Sequence, residues 1–107
     1  MNFSASPDRL RARATRCYAA SLWISGDYPR SHETNERSLA IFRELGDDEG
    51  IGVLLHRLGI STLTVRKDPA AARALLEESR EHYRRAGSRS GESEVVGALG
   101  YVARDEG

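Results

Sequence analysis

At 107 residues, with 16 basic side chains balanced by 16 acidic ones, the chain has room for one domain with a modest core and carries no global field favouring nucleic acid or an anionic membrane. It contains no apolar run long enough to cross a bilayer, and its N-terminus lacks the apolar segment of a signal peptide. One cysteine cannot staple a fold, so a reducing, cytoplasmic setting is expected. All but one of the basic residues are arginine, and Ala and Gly are abundant, a bias expected of a high-GC bacterial genome.

Residues 1 to 5 are polar and expected to fray. Ser6-Pro7 reads as a cap followed by a first-turn proline, opening a helix over about 7–25 with Leu10, Ala14, Cys17, Ser21 and Ile24 on one face. Arg9, Arg13 and Arg16 share another face. They either meet phosphate or a carboxylate-rich partner, or form a solvated surface balanced by nearby acids. Gly26-Asp27-Tyr28-Pro29 turns the chain into a second helix, about 28–45, which ends at Gly46 after Ile41, Phe42 and Leu45.

A third helix over about 49–66 carries Ile51, Leu54, Leu55, Leu58 and Val65 on one face and Val53, Ile60 and Leu63 on others. A helix apolar on more than one side is sandwiched between neighbours, so this one is expected to be central. Asp47 or Asp48 is its expected N-cap. Asp68 and Pro69 then open a fourth helix, about 69–86, whose inward face reads Ala72, Leu75, Leu76, Ser79, Tyr83 and Ala86 before the stop at Gly87. With only Arg66 and Lys67 as connector, the third and fourth helices must be antiparallel and packed together. Ser90 is the expected cap of a fifth helix over about 91–105, bearing Val95, Val96, Leu99, Val102 and Ala103.

A shift of 41 residues superposes Gly50 on Gly91, Leu58 on Leu99, Gly59 on Gly100 and Asp27 on Asp68. The same shift brings Glu36 onto Glu77, Ser38 onto Ser79, Phe42 onto Tyr83 and Gly46 onto Gly87. A fixed period of this size with two helices in each period indicates stacked helical hairpins. The expected fold is all-α: an α-solenoid of about five antiparallel helices, or two and a half hairpins, in one domain spanning residues 1–107.

Leu58-Gly59 and Leu99-Gly100 in the first helix of a pair, followed by Ala72, Leu76, Ser79 and Tyr83 in the second, resemble the tetratricopeptide repeat. The stretches 38–47 and 71–79 look like the long-repeat variety found in bacterial signalling ATPases and transcriptional regulators. The resemblance spans about residues 10 to 105 and implies that Gly59 and Gly100 mark close helix crossings. The chain departs from the pattern at Ser31, Thr34 and Asn35, which stand where the second unit has Ala72, Leu75 and Leu76. The first hairpin is therefore expected to pack less tightly than the second.

No motif carries chemistry. His32, His56 and His82 lie on different helices without metal-ligand spacing, and Cys17 has no local nucleophile signature and reads as a small apolar side chain. Glu77 and Glu78 diverge by about 100° around their helix; with Arg73, Arg80 and Glu81 they are expected to form an exposed surface of i, i+4 pairs. No glycine-rich phosphate loop is present. Catalytic, metal and cofactor sites are not expected.

In the family the chain resembles, the first helices of successive pairs line a concave groove that holds a polypeptide. Carried onto this chain, the resemblance places Thr15, Ala19, Leu22, His56, Ile60, Leu63 and Tyr101 on or near the groove wall. Trp23 either anchors a partner there or fills the seam between the first two helices. His56 either lines the groove or is a half-buried residue satisfied by a carbonyl. The expected function is a non-catalytic protein or peptide interaction module. The alternative is a peptide- or effector-sensing segment of a bacterial transcriptional regulator or signalling ATPase. Neither reading implies direct nucleic-acid or membrane binding. The C-terminal helix either caps the stack or offers Val95, Tyr101 and Val102 to a second copy of the chain or to further sequence of a longer parent.

Overall fold

Helix starts recur along the chain because helix-capping residues do. The computed structural model describes residues 7–106, which form α1 (Pro7–Ser25), α2 (Tyr28–Leu45), α3 (Asp48–Thr64), α4 (Pro69–Ala86) and α5 (Arg89–Glu106), with no strand among the described residues. The expected cap at Ser6 and the fraying expected of residues 1 to 5 lie outside the described residues.

Asp27 caps α2 by accepting from Arg30 N, and Asp47 caps α3 by accepting from Gly50 N at 3.1 Å. Asp68 caps α4 through Ala71 N at 3.1 Å. Each carboxylate satisfies a backbone donor that has no partner inside its helix. At α5 the cap is Ser88, whose Oγ accepts from Gly91 N at 3.2 Å, and not the expected Ser90. Ser88 stands 41 residues after Asp47, so the period decides the start, and α5 opens two residues earlier than expected.

The stops repeat as well. Gly46 (φ 67°) and Gly87 (φ 73°) end α2 and α4 in the left-handed conformation. The α1–α2 turn uses Gly26 at φ 92°, and Lys67 takes the equivalent place before α4 at φ 55°. That turn ends α3 at Thr64, two residues before the expected limit.

Adjacent hairpins lock through an aromatic ring laid on a glycine. A Cβ built on Gly50 would come within 2.4 Å of the Phe42 ring, and one on Gly91 within 2.4 Å of the Tyr83 ring. Within the second hairpin a Cβ on Gly59 would meet Leu76 at 2.7 Å, so α3 and α4 approach as closely as the absent side chain allows. Gly100 does not mark a crossing: a Cβ there meets nothing within 4 Å, because no helix lies opposite it among the described residues.

Two apolar clusters result. Ala12, Phe42, Ile51, Leu54 and Leu55 join the first hairpin to α3, and Leu63, Ala72, Leu76, Tyr83, Val95, Ala98 and Val102 join α3, α4 and α5. α3 contributes to both, as a helix apolar on several sides must. The molecule extends 53 × 31 × 18 Å, thin enough for two helical layers.

The packing departs from the sequence reading at three faces. In α1 the buried flank is Ala12, Ala19 and Leu22, while Leu10, Ala14, Cys17, Ser21 and Ile24 face outward. The reason lies in α2: Ser31 Oγ donates to Ala19 O at 2.8 Å and Ser38 Oγ to Ala12 O at 2.9 Å, drawing α2 onto the alanine side. In α5, Val95 and Val102 are fully buried against α4, so of the three residues expected at a self-association face only Tyr101 is exposed. In α4, Ala86 is exposed, since the inward stripe ends with Tyr83.

Ion pairs and a hydrogen bond tie the layers together. Arg9 meets Asp47 at 3.1 Å, Arg43 meets Glu78 at 2.9 Å, and the His82 ring donates from Nδ1 to Asp48 Oδ1 at 2.8 Å. Arg73 pairs with Glu77 at 3.9 Å, as i, i+4 spacing predicts, but also with Glu106. Arg80 reaches across to Glu92 on α5, and the hydrogen bonds from Arg80 and Arg84 hold the Glu92 carboxyl below its usual range. No helix among the described residues is long and apolar enough to cross a membrane.

Candidate interaction groove

The polar first hairpin leaves a hollow where the second has a leucine. Asn35 on α2 occupies the place that Leu76 holds on α4, and a cavity of about 470 Å³ opens beside it. Its walls come from the end of α1 (Ala19, Ala20, Trp23, Ile24), from α2 (Ser31, Asn35) and from α3 (Val53, His56, Arg57, Ile60), with Tyr83 and Glu94 closing the far side.

The Trp23 ring rests on Tyr28, with centroids 4.7 Å apart and planes tilted by 54°, so the indole leans on the α1–α2 turn and also walls the cavity. The contact with Tyr28 matches the reading of Trp23 as filling the seam between the first two helices, and the ring also borders the hollow. Asn35 is 5% exposed, and its Oδ1 has no hydrogen-bond partner among the described residues. A buried acceptor left unsatisfied costs about 1 to 3 kcal/mol, which makes this atom the odd one out in a well-paired fold.

Arg57 is the cation of the groove. Its Nη1 donates to Arg16 O at 3.3 Å, and no carboxylate partner is present among the described residues. Burial presses its pKa down, and the nearby Arg16 adds to this. Arg16 itself lies 5.8 Å from the centre of the Phe42 ring. Burial also lowers the pKa of His56, with Glu94 pulling the other way. His56 is thus a neutral ring near pH 7, and it has no hydrogen-bond partner among the described residues. The Tyr83 hydroxyl is pushed up by burial first and then by Glu94 and Glu49. The site therefore offers apolar walls, one free acceptor, one under-compensated guanidinium and one carboxylate at its edge.

A second, more open depression of about 830 Å³ lies next to it, lined by Ile60, Leu63, Thr64, Lys67, Pro69, Tyr101 and Asp105. Tyr101 is 59% exposed, and the Arg104 guanidinium lies 5.4 Å from its ring centre. Ile60 belongs to both hollows and joins them into one surface.

Of the residues singled out in the sequence, Ala19, Trp23, His56 and Ile60 meet in the first hollow and Ile60, Leu63 and Tyr101 in the second. Thr15 and Leu22 line neither. The Thr15 hydroxyl donates to Arg11 O at 2.7 Å within its own helix, and Leu22 is buried in the helix contact. Sequence reasoning missed Asn35, Arg57 and Glu94. A signal existed for two of them: Asn35 is a polar residue at a core position of the repeat, and Arg57 stands 41 residues after Arg16.

One further constellation also escaped the sequence reading. His32 Nδ1 lies 3.0 Å from Ser61 Oγ, and its Nε2 lies 3.7 Å from Glu36, the order of groups found in nucleophilic catalysis. Ser61, however, is 3% exposed and lines neither hollow. The string works as a brace between α2 and α3. Burial and Arg66 lower the His32 pKa while Glu36 raises it, so the ring is held neutral. No cluster of three or more His, Cys, Asp or Glu side chains able to hold a metal ion occurs among the described residues.

The fold can be set beside known proteins on this basis. Comparison with curated proteins and with solved structures gives no match. The family profile described as tetratricopeptide repeat matches residues 10–85, which run from α1 to the end of α4 and include the helices that build the first hollow on three sides. Repeats of this kind are generally protein-interaction modules. With helical hairpins recurring at a 41-residue period and most of its length matched, the chain belongs to the tetratricopeptide-repeat family.

Proposed function

We propose that this domain is a non-catalytic module that binds an extended polypeptide segment of a partner protein in the groove formed by the two hollows. The observation that carries the reading is the Asn35 side chain, buried and with Oδ1 unpaired at the wall of a cavity of about 470 Å³. A main-chain N–H of a bound segment satisfies that acceptor, and apolar side chains fill the space between Trp23, Val53 and Ile60. Arg57 and Glu94 then supply a donor and an acceptor on opposite sides, which fixes the direction of the segment. Such a site reads one or two anchor side chains and otherwise the backbone, the usual economy of peptide recognition.

The test uses displayed random peptides selected on the immobilised protein, read out by Trp23 emission, since Trp23 is the sole tryptophan. Selected peptides are expected to change that emission and to lose about tenfold in affinity, the worth of one well-made buried hydrogen bond, on Asn35→Leu. Ile60→Glu is expected to abolish the response. Peptides that bind Asn35→Leu and Ile60→Glu as tightly as the parent protein would sink the assignment.

A further inference from the structure

α3 and α5 are equivalent helices one 41-residue period apart, yet the same ridge meets opposite fates in the two. In α3 the ridge is Asp48, Gly52, Leu55, Gly59 and Thr62, and α4 lies along it. The His82 ring donates from Nδ1 to Asp48 Oδ1 at 2.8 Å, and Ser79 Oγ donates to Gly52 O at 2.6 Å. A Cβ on Gly59 would meet Leu76 at 2.7 Å, and Leu55 and Thr62 are buried. In α5 the ridge reads Arg89, Ser93, Val96, Gly100 and Ala103. All five are exposed, Val96 at 47%, because α5 packs on its neighbours through Val95, Ala98 and Val102.

The α3–α4 contact shows what such a ridge holds. A glycine in mid-helix weakens the helix, and at Gly59 the close approach of Leu76 offsets that loss. At Gly100 nothing among the described residues does so, since a Cβ there meets nothing within 4 Å. The two ridges also differ in ways that set the occupant apart from α4. Arg89 stands where α3 has Asp48, and it has no ion-pair partner among the described residues, so the place of His82 calls for a carboxylate. Ser93 stands where a Cβ on Gly52 would lie 3.0 Å from the Tyr83 ring, so the place of Tyr83 calls for a small side chain. A second copy of the chain supplies no such helix: its α4 carries His82 and Tyr83, and their face is already spent on its own α3.

We propose that the ridge from Arg89 to Ala103 docks an amphipathic helix of a partner polypeptide, antiparallel to α5. That helix sets a leucine over Gly100 and, six residues later, a carboxylate against Arg89. This is recognition of a helix by its apolar stripe, with the charge fixing its register. None of the five ridge residues lines either hollow, so the site is separate from the peptide groove.

Two labelled peptides with the sequence of residues 68–87 test this against the intact chain, one unchanged and one carrying His82→Glu and Tyr83→Ala. Free helices of this length are marginal in water, so helicity gained on mixing reports docking alongside fluorescence anisotropy. The substituted peptide is expected to bind saturably, to gain helicity, and to bind about tenfold more tightly than the unchanged one. In the protein, Gly100→Leu is expected to weaken binding by about tenfold or more while the fold persists, because the new side chain enters open space. Arg89→Glu is expected to remove the preference for the substituted peptide, and Asn35→Leu to leave binding unchanged, which separates this site from the groove. Failure of both peptides to bind overturns the proposal, as does preference for the unchanged one or binding indifferent to Gly100→Leu and Arg89→Glu. A light-scattering mass that rises above 11.8 kDa with concentration, and stays at that value in Gly100→Leu, would assign the ridge to a second copy and overturn it too.

Discussion

The two complete hairpins share a period, caps and stops, yet they are built on different interiors. In the second, α4 presents Ala72 and Leu76 to α3, and Leu76 sits over Gly59. In the first, α2 presents Ser31, Thr34, Asn35 and Ser38, held to α1 by hydroxyl-to-carbonyl hydrogen bonds at Ala19 and Ala12. Ser79 to Gly52 O, at 2.6 Å, is the one such bond that the second hairpin keeps. A hydrogen bond contributes about 1 kcal/mol net and a buried leucine roughly 1.5 to 3 kcal/mol. The second hairpin is therefore the anchor of the stack, and the first gives up stability for a hollow with polar groups at its wall.

The comparison breaks most readily at Leu76. Leu76→Ala is expected to cost about 2 to 5 kcal/mol, the range for truncating a fully buried leucine, and chemical denaturation followed by circular dichroism measures it. A loss below 1 kcal/mol would mean that the second hairpin is not the anchor.

Repeat-equivalent glycines sharpen the same contrast. Gly59→Leu is expected to cost about 1 to 3 kcal/mol, because even a Cβ there collides with Leu76. Gly100→Leu meets open space and is expected to be neutral or to stabilise by about 0.5 to 1 kcal/mol through helix propensity. Thermal melts of the pair distinguish them, and equal destabilisation would show that Gly100 is covered in solution.

Asn35→Leu converts the first hairpin toward the second. Removing an unpaired buried acceptor is expected to raise stability by about 1 kcal/mol while peptide binding falls. A variant that is both less stable and still able to bind peptide contradicts the division of labour drawn here.

The smallest effect is that of pH. Burial holds His32 and His56 below the ordinary value of 6.5 in the folded chain. Above that value both states are neutral and stability is flat. As pH falls through it, the unfolded chain takes up protons first, so stability declines until the lower folded pKa values are reached. Melting temperatures between about pH 7.5 and 5.5 are expected to fall, with His32→Gln flattening the profile. A rise on acidification would reverse the sign argued from burial.

Much of this was legible without coordinates, and the reason differs by feature. The helix start at Asp68, a cap at Asp47 or Asp48 and the stops at Gly46 and Gly87 are local chemistry, acting within four residues, so they can be read from the chain alone. The 41-residue repeat is likewise a property of the string. Ser88 was misread for Ser90 because two serines compete locally and only the period separates them. The buried side of α1 was misread for a different reason. Leu10, Cys17 and Ile24 form the more apolar stripe, but which flank faces inward depends on the serines of α2, which no window within α1 contains.

The chain by itself determined the helices, their antiparallel order and the family, because capping, helical periodicity and repetition are written in short-range spacing. Tertiary structure alone decided that Asn35 Oδ1 is left unpaired, that Arg57 and Glu94 face one hollow, and that Leu10, Cys17 and Ile24 of α1 point away from the core. Those facts depend on which surfaces of separate helices meet, and that is settled by fitting volumes and hydrogen bonds across the stack, beyond the reach of spacing along any one helix.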